Sequence, residues 1–166
     1  MDVIYFLLNF AAEKKINNNM EITKELIKER FDVLNYECFD NQIKEPDVIK
    51  VIHSVKNAGS VNKDSRTGKI KLYISKDFEF TNATLDDTIA HEMIHLRQFQ
   101  EFGWKGVKHN KYFKNEMQKL NEMYKLSIGI TSKGIPLKDS AKKRKEKAYP
   151  KNKLFNKLAK LIDKFI

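Results

Sequence analysis

A chain of 166 residues, 41% hydrophobic and 33% charged, carries enough apolar material for one domain core and an appendage. Its single cysteine, Cys38, excludes an internal disulfide and a cysteine-built zinc ribbon, and it suits a reducing cytosol. The net charge of +10 is gathered at one end: residues 138–166 hold eleven Lys/Arg against three acidic residues, a net +8, leaving +2 for residues 1–137.

Taken in chain order, the first predicted element is an apolar run at residues 3–12. Asn9 interrupts it, and Asp2 stands where a signal peptide carries basic residues, so it reads as a helix docked on the core. It falls well short of the ~20 residues a membrane span needs. After the loop-forming Asn17, Asn18 and Asn19, a second helix follows from Ile22, Leu26, Ile27, Phe31 and Leu34 at helical spacing. Beyond Pro46, the apolar stretch at residues 48–52 predicts a strand. A clearer strand lies where Ile70, Leu72 and Ile74 alternate with Lys69, Lys71 and Tyr73. The turn-rich residues 62–68 precede it, and the two strands are expected to pair antiparallel.

A helix is expected next over residues 84–102, with Thr84 as N-cap, Asp87 in its first turn and Gly103 as its stop. Trp104 is expected to anchor the following connection in the core. A further helix then carries Phe113, Met117, Leu120 and Tyr124 on one stripe. Past Gly129 the chain loosens through Gly134, Pro136 and the lysine-rich run at 138–150. It closes in an amphipathic helix whose apolar face holds Leu154, Phe155, Leu158, Leu161, Ile162 and Phe165.

The chemistry concentrates in "IAHEMIHLRQFQ". Residues four apart on a helix project from one side, so His91 and His95 can both reach one Zn2+ ion. Glu92 is offset by about 100° around the axis, placed to exchange a proton with a water at the metal. A catalytic zinc takes three protein ligands and keeps a fourth position open. Two residues could supply the third: His109, at the start of the next helix, or Glu116 two turns into it. Asp87 and Gln98 could each orient a histidine ring, or act as a helix-start carboxylate and a plain polar residue. Tyr112 reads as a surface tyrosine, with stabilisation of a reacting oxyanion as its alternative role. His53 lies in a predicted strand away from the motif and reads as a structural or surface histidine.

"HEMIH" followed by "GWKGVKHNKYFKNEM" resembles the SprT-like metallopeptidases, the group that includes Spartan proteases acting on DNA–protein crosslinks. The upstream order fits too: a helix, "FDNQIKEPDVIKV", a Gly-containing "NAGSV", then "IKLYIS" leading into the histidine helix. The resemblance covers about residues 22–125. It implies His109 as third ligand, with the aromatic Phe113 four residues on, and leaves Glu116 outside the metal shell. It further implies a zinc metallopeptidase in which His91, His95 and His109 hold Zn2+ and Glu92 is the general base. The fold expected is α+β and zincin-like, with N-terminal helices, a small mainly antiparallel sheet, the HExxH helix and a basic C-terminal helical tail. Residues 1–137 would form the metallopeptidase domain, with its core at 22–125, and 138–166 a basic linker and amphipathic helix. Members of this family often carry a C-terminal zinc ribbon or DNA-binding extension; here a basic tail stands in that place.

The expected partners are a protein or peptide substrate and nucleic acid held by the basic tail, 138–166. A tail helix that packs on its own domain, or lies on an anionic membrane surface, accounts for the same charge pattern. The rival functional class is a nucleic-acid-binding module whose zinc site is structural or catalytically silent. The expected location is the cytoplasm, bacterial or that of a host if the chain is phage-encoded.

Overall fold

The computed structural model describes residues 20–148. The expected helices at 3–12 and 154–165 fall outside that range. Helix α1, Lys24–Phe39, starts where the Thr23 side chain accepts the Leu26 N–H at 3.1 Å, and it buries Ile27, Phe31, Leu34 and Phe39. Asp40 ends it in the left-handed region at φ 53°. The Asn35 carboxamide then grips Ile43 at both its N–H and its carbonyl, so the chain leaving α1 is pinned on its way to the sheet.

Three strands form that sheet: β1 (Val48–Ile52), β2 (Gly59–Lys63) and β3 (Ile70–Ser75), in the order β1-β3-β2. Here the structure corrects the sequence reading. β1 pairs with β3 in parallel, and the antiparallel partner of β3 is β2. The turn between 63 and 70 therefore closes a hairpin whose first strand, with Val61 as its one large apolar residue, has no alternating pattern to betray it. Asp64 builds this turn. Its carboxylate accepts the Arg66 and Thr67 N–H groups and pairs with Lys71, while Gly68 supplies the positive φ of 73°. The sheet is thus mixed, not mainly antiparallel. Leu72 and Ile74 on β3 are fully buried beneath the helices.

Helix α2, Asn82–Phe102, starts three residues earlier than expected. Thr81 is the cap, and Thr84 completes a capping box with it. Gly103 ends the helix, as expected, at φ 69°. A 3-10 turn, Trp104–Gly106, leads to helix α3, Lys111–Tyr124, capped by Asn110. Trp104 does not enter the core: it is 36% exposed and rests edge-on against Phe99. On α3, Phe113 and Leu120 are buried, whereas Tyr124 stays exposed.

The stretch expected to loosen after 137 instead forms helix α4, Asp139–Ala148. Its Ala141 is fully buried, and its Arg144 reaches the buried Asp77, which also accepts from the His53 ring at 2.7 Å. The described residues are therefore α+β, with four α-helices around a small mixed sheet. Helix α1 packs on β1 and α2, and α2 packs on β2. None of the described helices is long and apolar enough to cross a membrane.

Candidate metal centre

Helix α2 is buried along most of its length. Leu85, Ile89, Ala90, Met93 and Ile94 are almost wholly inaccessible, which fixes its rotation against the sheet. That rotation sends His91 and His95 together toward the loop after the 3-10 turn, with their ring centroids 5.0 Å apart. His109 comes from that loop, one residue before the Asn110 cap of α3. Its Nε2 lies 3.1 Å from Nε2 of His95 and 3.0 Å from Nε2 of His91. The three histidines are positioned to hold a metal ion.

The rings are oriented from behind. Nδ1 of His91 lies 2.7 Å from the carbonyl oxygen of Gly129, which can only accept, so this nitrogen carries the proton. Nδ1 of His95 lies 2.9 Å from Oε1 of Gln98. Beneath all three rings sits the fully buried Phe113, with centroid distances of 4.8, 4.6 and 4.7 Å to His91, His95 and His109.

Burial pushes the His91 imidazole down to about 4, helped by the nearby His95, against an opposing hydrogen bond to Gly129. Burial likewise lowers His95 and His109. All three are therefore neutral at physiological pH, the form that ligates metal.

The donor set tests the fit of a cation. With His91 and His95 both donating through Nδ1, their Nε2 atoms are bare lone pairs that both face Nε2 of His109, which could offer one proton at most. A cation at the centre satisfies all three. Zn–N bonds of about 2.0–2.1 Å in a tetrahedron place nitrogens about 3.3–3.4 Å apart, close to the 3.0 and 3.1 Å that separate Nε2 of His109 from those of His91 and His95. Glu116 is not part of the cluster. Its carboxylate is held by Arg97 at 3.2 Å, and Arg97 also binds Glu101.

Glu92 follows His91 on the helix, is 5% exposed, and lines a cleft of about 490 Å³ together with His91 and His109. Burial pushes its carboxyl up to about 8, against a hydrogen bond from the Val61 N–H of β2. Gly59 makes the room: a Cβ there would stand 2.9 Å from Cγ and Oε1 of Glu92 and from Cγ2 of Thr88.

Residues 127–135 form the opposite wall of the cleft. Asp87, which the sequence offered as a partner for His91, instead accepts the Ser127 N–H at 2.7 Å and so holds this wall against α2. Asn121 grips Ile128 at both N–H and carbonyl, and Ser132 accepts the Ala58 N–H from the sheet side. Tyr112 packs on Phe102 and hydrogen-bonds Glu101 rather than lining the cleft. Gly59, Gly129 and the Asn121 clamp escaped the sequence reading. Nothing in their spacing distinguishes them from loop and helix-surface residues.

Residues 27–136 match the family model of the SprT-like family, a span that takes in both the histidine helix and the far wall of the cleft. No curated protein matches the chain significantly.

Proposed function

The chain belongs to the SprT-like family, and from that premise we propose that it is a zinc-dependent metallopeptidase whose cleft takes an unfolded or extended protein segment. The observation that carries this reading is the convergence of three histidine Nε2 atoms beside a buried carboxylate in one open cleft. His91, His95 and His109 would hold zinc, and Glu92 would be the general base.

Bound zinc supplies Lewis acidity and a double positive charge, which polarise a carbonyl, bring a water's pKa to about 7 and draw the Glu92 carboxyl toward its ionised form. Glu92 takes a proton from the attacking water and passes it to the leaving amine nitrogen. Its burial strengthens the electrostatic part of both transfers. The Val61 N–H of β2 holds the carboxylate from the sheet side. Gly129 and Gln98 hold the rings so that their Nε2 atoms face the site.

DNA-associated proteins are the substrate class this reading favours, with nucleic acid held along the basic tail. Lys143 and Lys147, four residues apart and exposed on one side of α4, support a phosphate-binding face, and the exposed Lys145 adds to the charge of the helix. The rival is a binding module with a silent zinc site. The test is turnover of a denatured protein and of a DNA-bound protein by metal-loaded enzyme, with and without chelator. Cleavage that chelator abolishes and zinc restores supports the hydrolase. One zinc per chain with every substrate left intact sinks it in favour of the binding module.

A further inference from the structure

Gln98 is fully buried near the C-terminal end of α2, and its carboxamide touches both arms of the histidine cluster. Its Nε2 lies 2.8 Å from the Lys108 carbonyl oxygen and 3.1 Å from Oδ1 of Asn110. Its Oε1 lies 2.9 Å from Nδ1 of His95 and 3.3 Å from the Lys108 N–H. All four hydrogen-bonding positions of the amide are thus filled from within the protein.

The orientation of this amide follows from groups with no freedom of their own. Asn110 caps α3, and its Oδ1 accepts the Phe113 N–H at 3.1 Å, so Oδ1 is an acceptor where it faces Gln98. The Lys108 carbonyl is an acceptor as well. The Gln98 atom facing both must be the NH2 group, and the atom facing His95 must be the carbonyl oxygen. His95 must then donate through Nδ1, which strips Nε2 of its proton and leaves a lone pair aimed at His109 and the cluster centre. The tautomer of one histidine is therefore set, through one glutamine, by the N-cap of the next helix. The same amide grips Lys108 at both its N–H and its carbonyl, and Lys108 directly precedes His109.

We propose that Gln98 is a positioning residue for the metal centre, one that sets the tautomer of His95 and the placement of His109 in a single hydrogen-bonded unit. This rests on the reading of the three histidines as a zinc site. It goes beyond that reading in assigning the preorganisation of two ligands, one on α2 and one on the loop, to one side chain. A ligand held from behind in this way binds metal more tightly, and losing such a partner typically costs about 10–100-fold in affinity. Loss at Gln98 reaches two of the three ligands, so the upper part of that range is expected.

Two variants test it. Gln98→Met keeps the volume and removes all four hydrogen bonds. Gln98→Glu keeps an acceptor for His95 and removes the donors to Lys108 and Asn110. Two readouts are needed: zinc affinity by chelator competition, and the His95 tautomer by long-range nitrogen–proton NMR of the metal-free protein. The parent should show His95 protonated at Nδ1. Gln98→Met should lose that single tautomer and bind zinc about 10–100-fold more weakly. Gln98→Glu should keep the tautomer and still lose affinity, because the His109 arm is loosened.

A Gln98→Met protein that is less stable to heat but retains both the tautomer and the parental zinc affinity would overturn the proposal and leave Gln98 as core packing. If Gln98→Met does not fold, Gln98→Glu decides: zinc affinity equal to the parent's overturns the proposal. A parent that takes up no zinc overturns the metal reading instead, and the tautomer comparison then judges Gln98 alone.

Discussion

The carbonyl oxygen of Gly129 lies 2.7 Å from Nδ1 of His91, a residue 38 positions earlier in the chain. The wall of the cleft thereby fixes the tautomer of a candidate ligand on the opposite side. Gly129 is held by its neighbours, since Asn121 clamps Ile128 at 2.8 and 3.1 Å and Asp87 accepts from Ser127. Asn121→Ala removes the clamp and leaves two backbone groups of the buried Ile128 without their partner, at a cost of about 1–3 kcal/mol. The expected outcome is a lower unfolding midpoint together with zinc affinity reduced about tenfold, measured by chelator competition. Parental affinity in a destabilised Asn121→Ala protein would show that the wall does not orient His91.

Glu92→Gln separates binding from chemistry. The amide is nearly isosteric and neutral, so it fits the buried pocket beside Gly59 at least as well as the acid, whose carboxyl burial already pushes up to about 8. Zinc content should stay at the parental level, because the three histidines are untouched. Peptide hydrolysis should fall by about 10²–10⁴-fold, the usual contribution of a positioned proton acceptor. Undiminished turnover in this variant would remove Glu92 from the reaction.

Gly59→Ala probes the same carboxylate from the sheet. The added methyl would meet Cγ and Oε1 of Glu92 and Cγ2 of Thr88, each at 2.9 Å, so a side chain of α2 or the strand must shift. Overpacking of this kind costs about 1–3 kcal/mol. Activity should fall with zinc still bound, since the atoms nearest the added methyl belong to Glu92 and Thr88 and not to a histidine. Parental kcat/KM in the Gly59→Ala protein would mean that the Glu92 pocket tolerates displacement.

How much of this is legible in the sequence follows from the range of each interaction. The His91–His95 pairing, the alternation on β3 and the Gly103 stop are set by residues within about one helical turn or strand repeat, and the sequence shows them. The cap of α2 differs by three residues from the expected Thr84 because Thr81 and Thr84 carry the same capping chemistry and form one box. The parallel pairing of β1 with β3 is hidden because β2 between them is short and polar, so sequence pattern credits the hairpin to the wrong strand. Gln98 stands at a readable spacing from His95, yet its role depends on Lys108 and Asn110 beyond the 3-10 turn. Gly129 acts through a backbone carbonyl, which leaves no mark in residue type, and Gly59 through a missing side chain whose neighbours, Glu92 and Thr88, only the fold brings to it.

Asp87 carries a pH signature. Burial raises its carboxyl above the ordinary value of 3.8, against the Ser127 hydrogen bond, so the folded protein keeps this proton to higher pH than the unfolded chain does. Stability is therefore lost as pH rises from the unfolded value through the folded one, and a constant penalty remains above it. Asp87→Asn keeps an acceptor for Ser127 and removes the charge. In metal-free protein its unfolding midpoint should match or exceed the parent's at neutral pH, and the difference should vanish in acid. A variant less stable than the parent at neutral pH would mean that the ionised carboxylate is needed to hold the wall.

The basic tail can be tested only if the fold is left intact, and Arg144 sets the boundary. It pairs with Asp77, whose side chain is 4% exposed, while its own is 46% exposed. Losing one partner of a fully buried pair costs about 3–5 kcal/mol, and the exposure of Arg144 reduces that to about 1–2 kcal/mol, with His53 still bonded to Asp77. Arg144→Gln should therefore lower the unfolding midpoint, and a chain cut at residue 137 should be destabilised further by losing Ala141 as well. Loss of nucleic-acid binding in that truncation would report unfolding as much as lost contacts. The cleaner variant replaces the exposed Lys143, Lys145 and Lys147 with Gln in the full chain, which touches no described hydrogen bond or ion pair. If the tail holds nucleic acid, DNA affinity at low salt should fall, and the slope of log K against log salt should shrink by about 0.7–0.9 for each phosphate contact removed. Equal affinity and slope in parent and triple variant, for single- and double-stranded DNA alike, would end the nucleic-acid reading of α4.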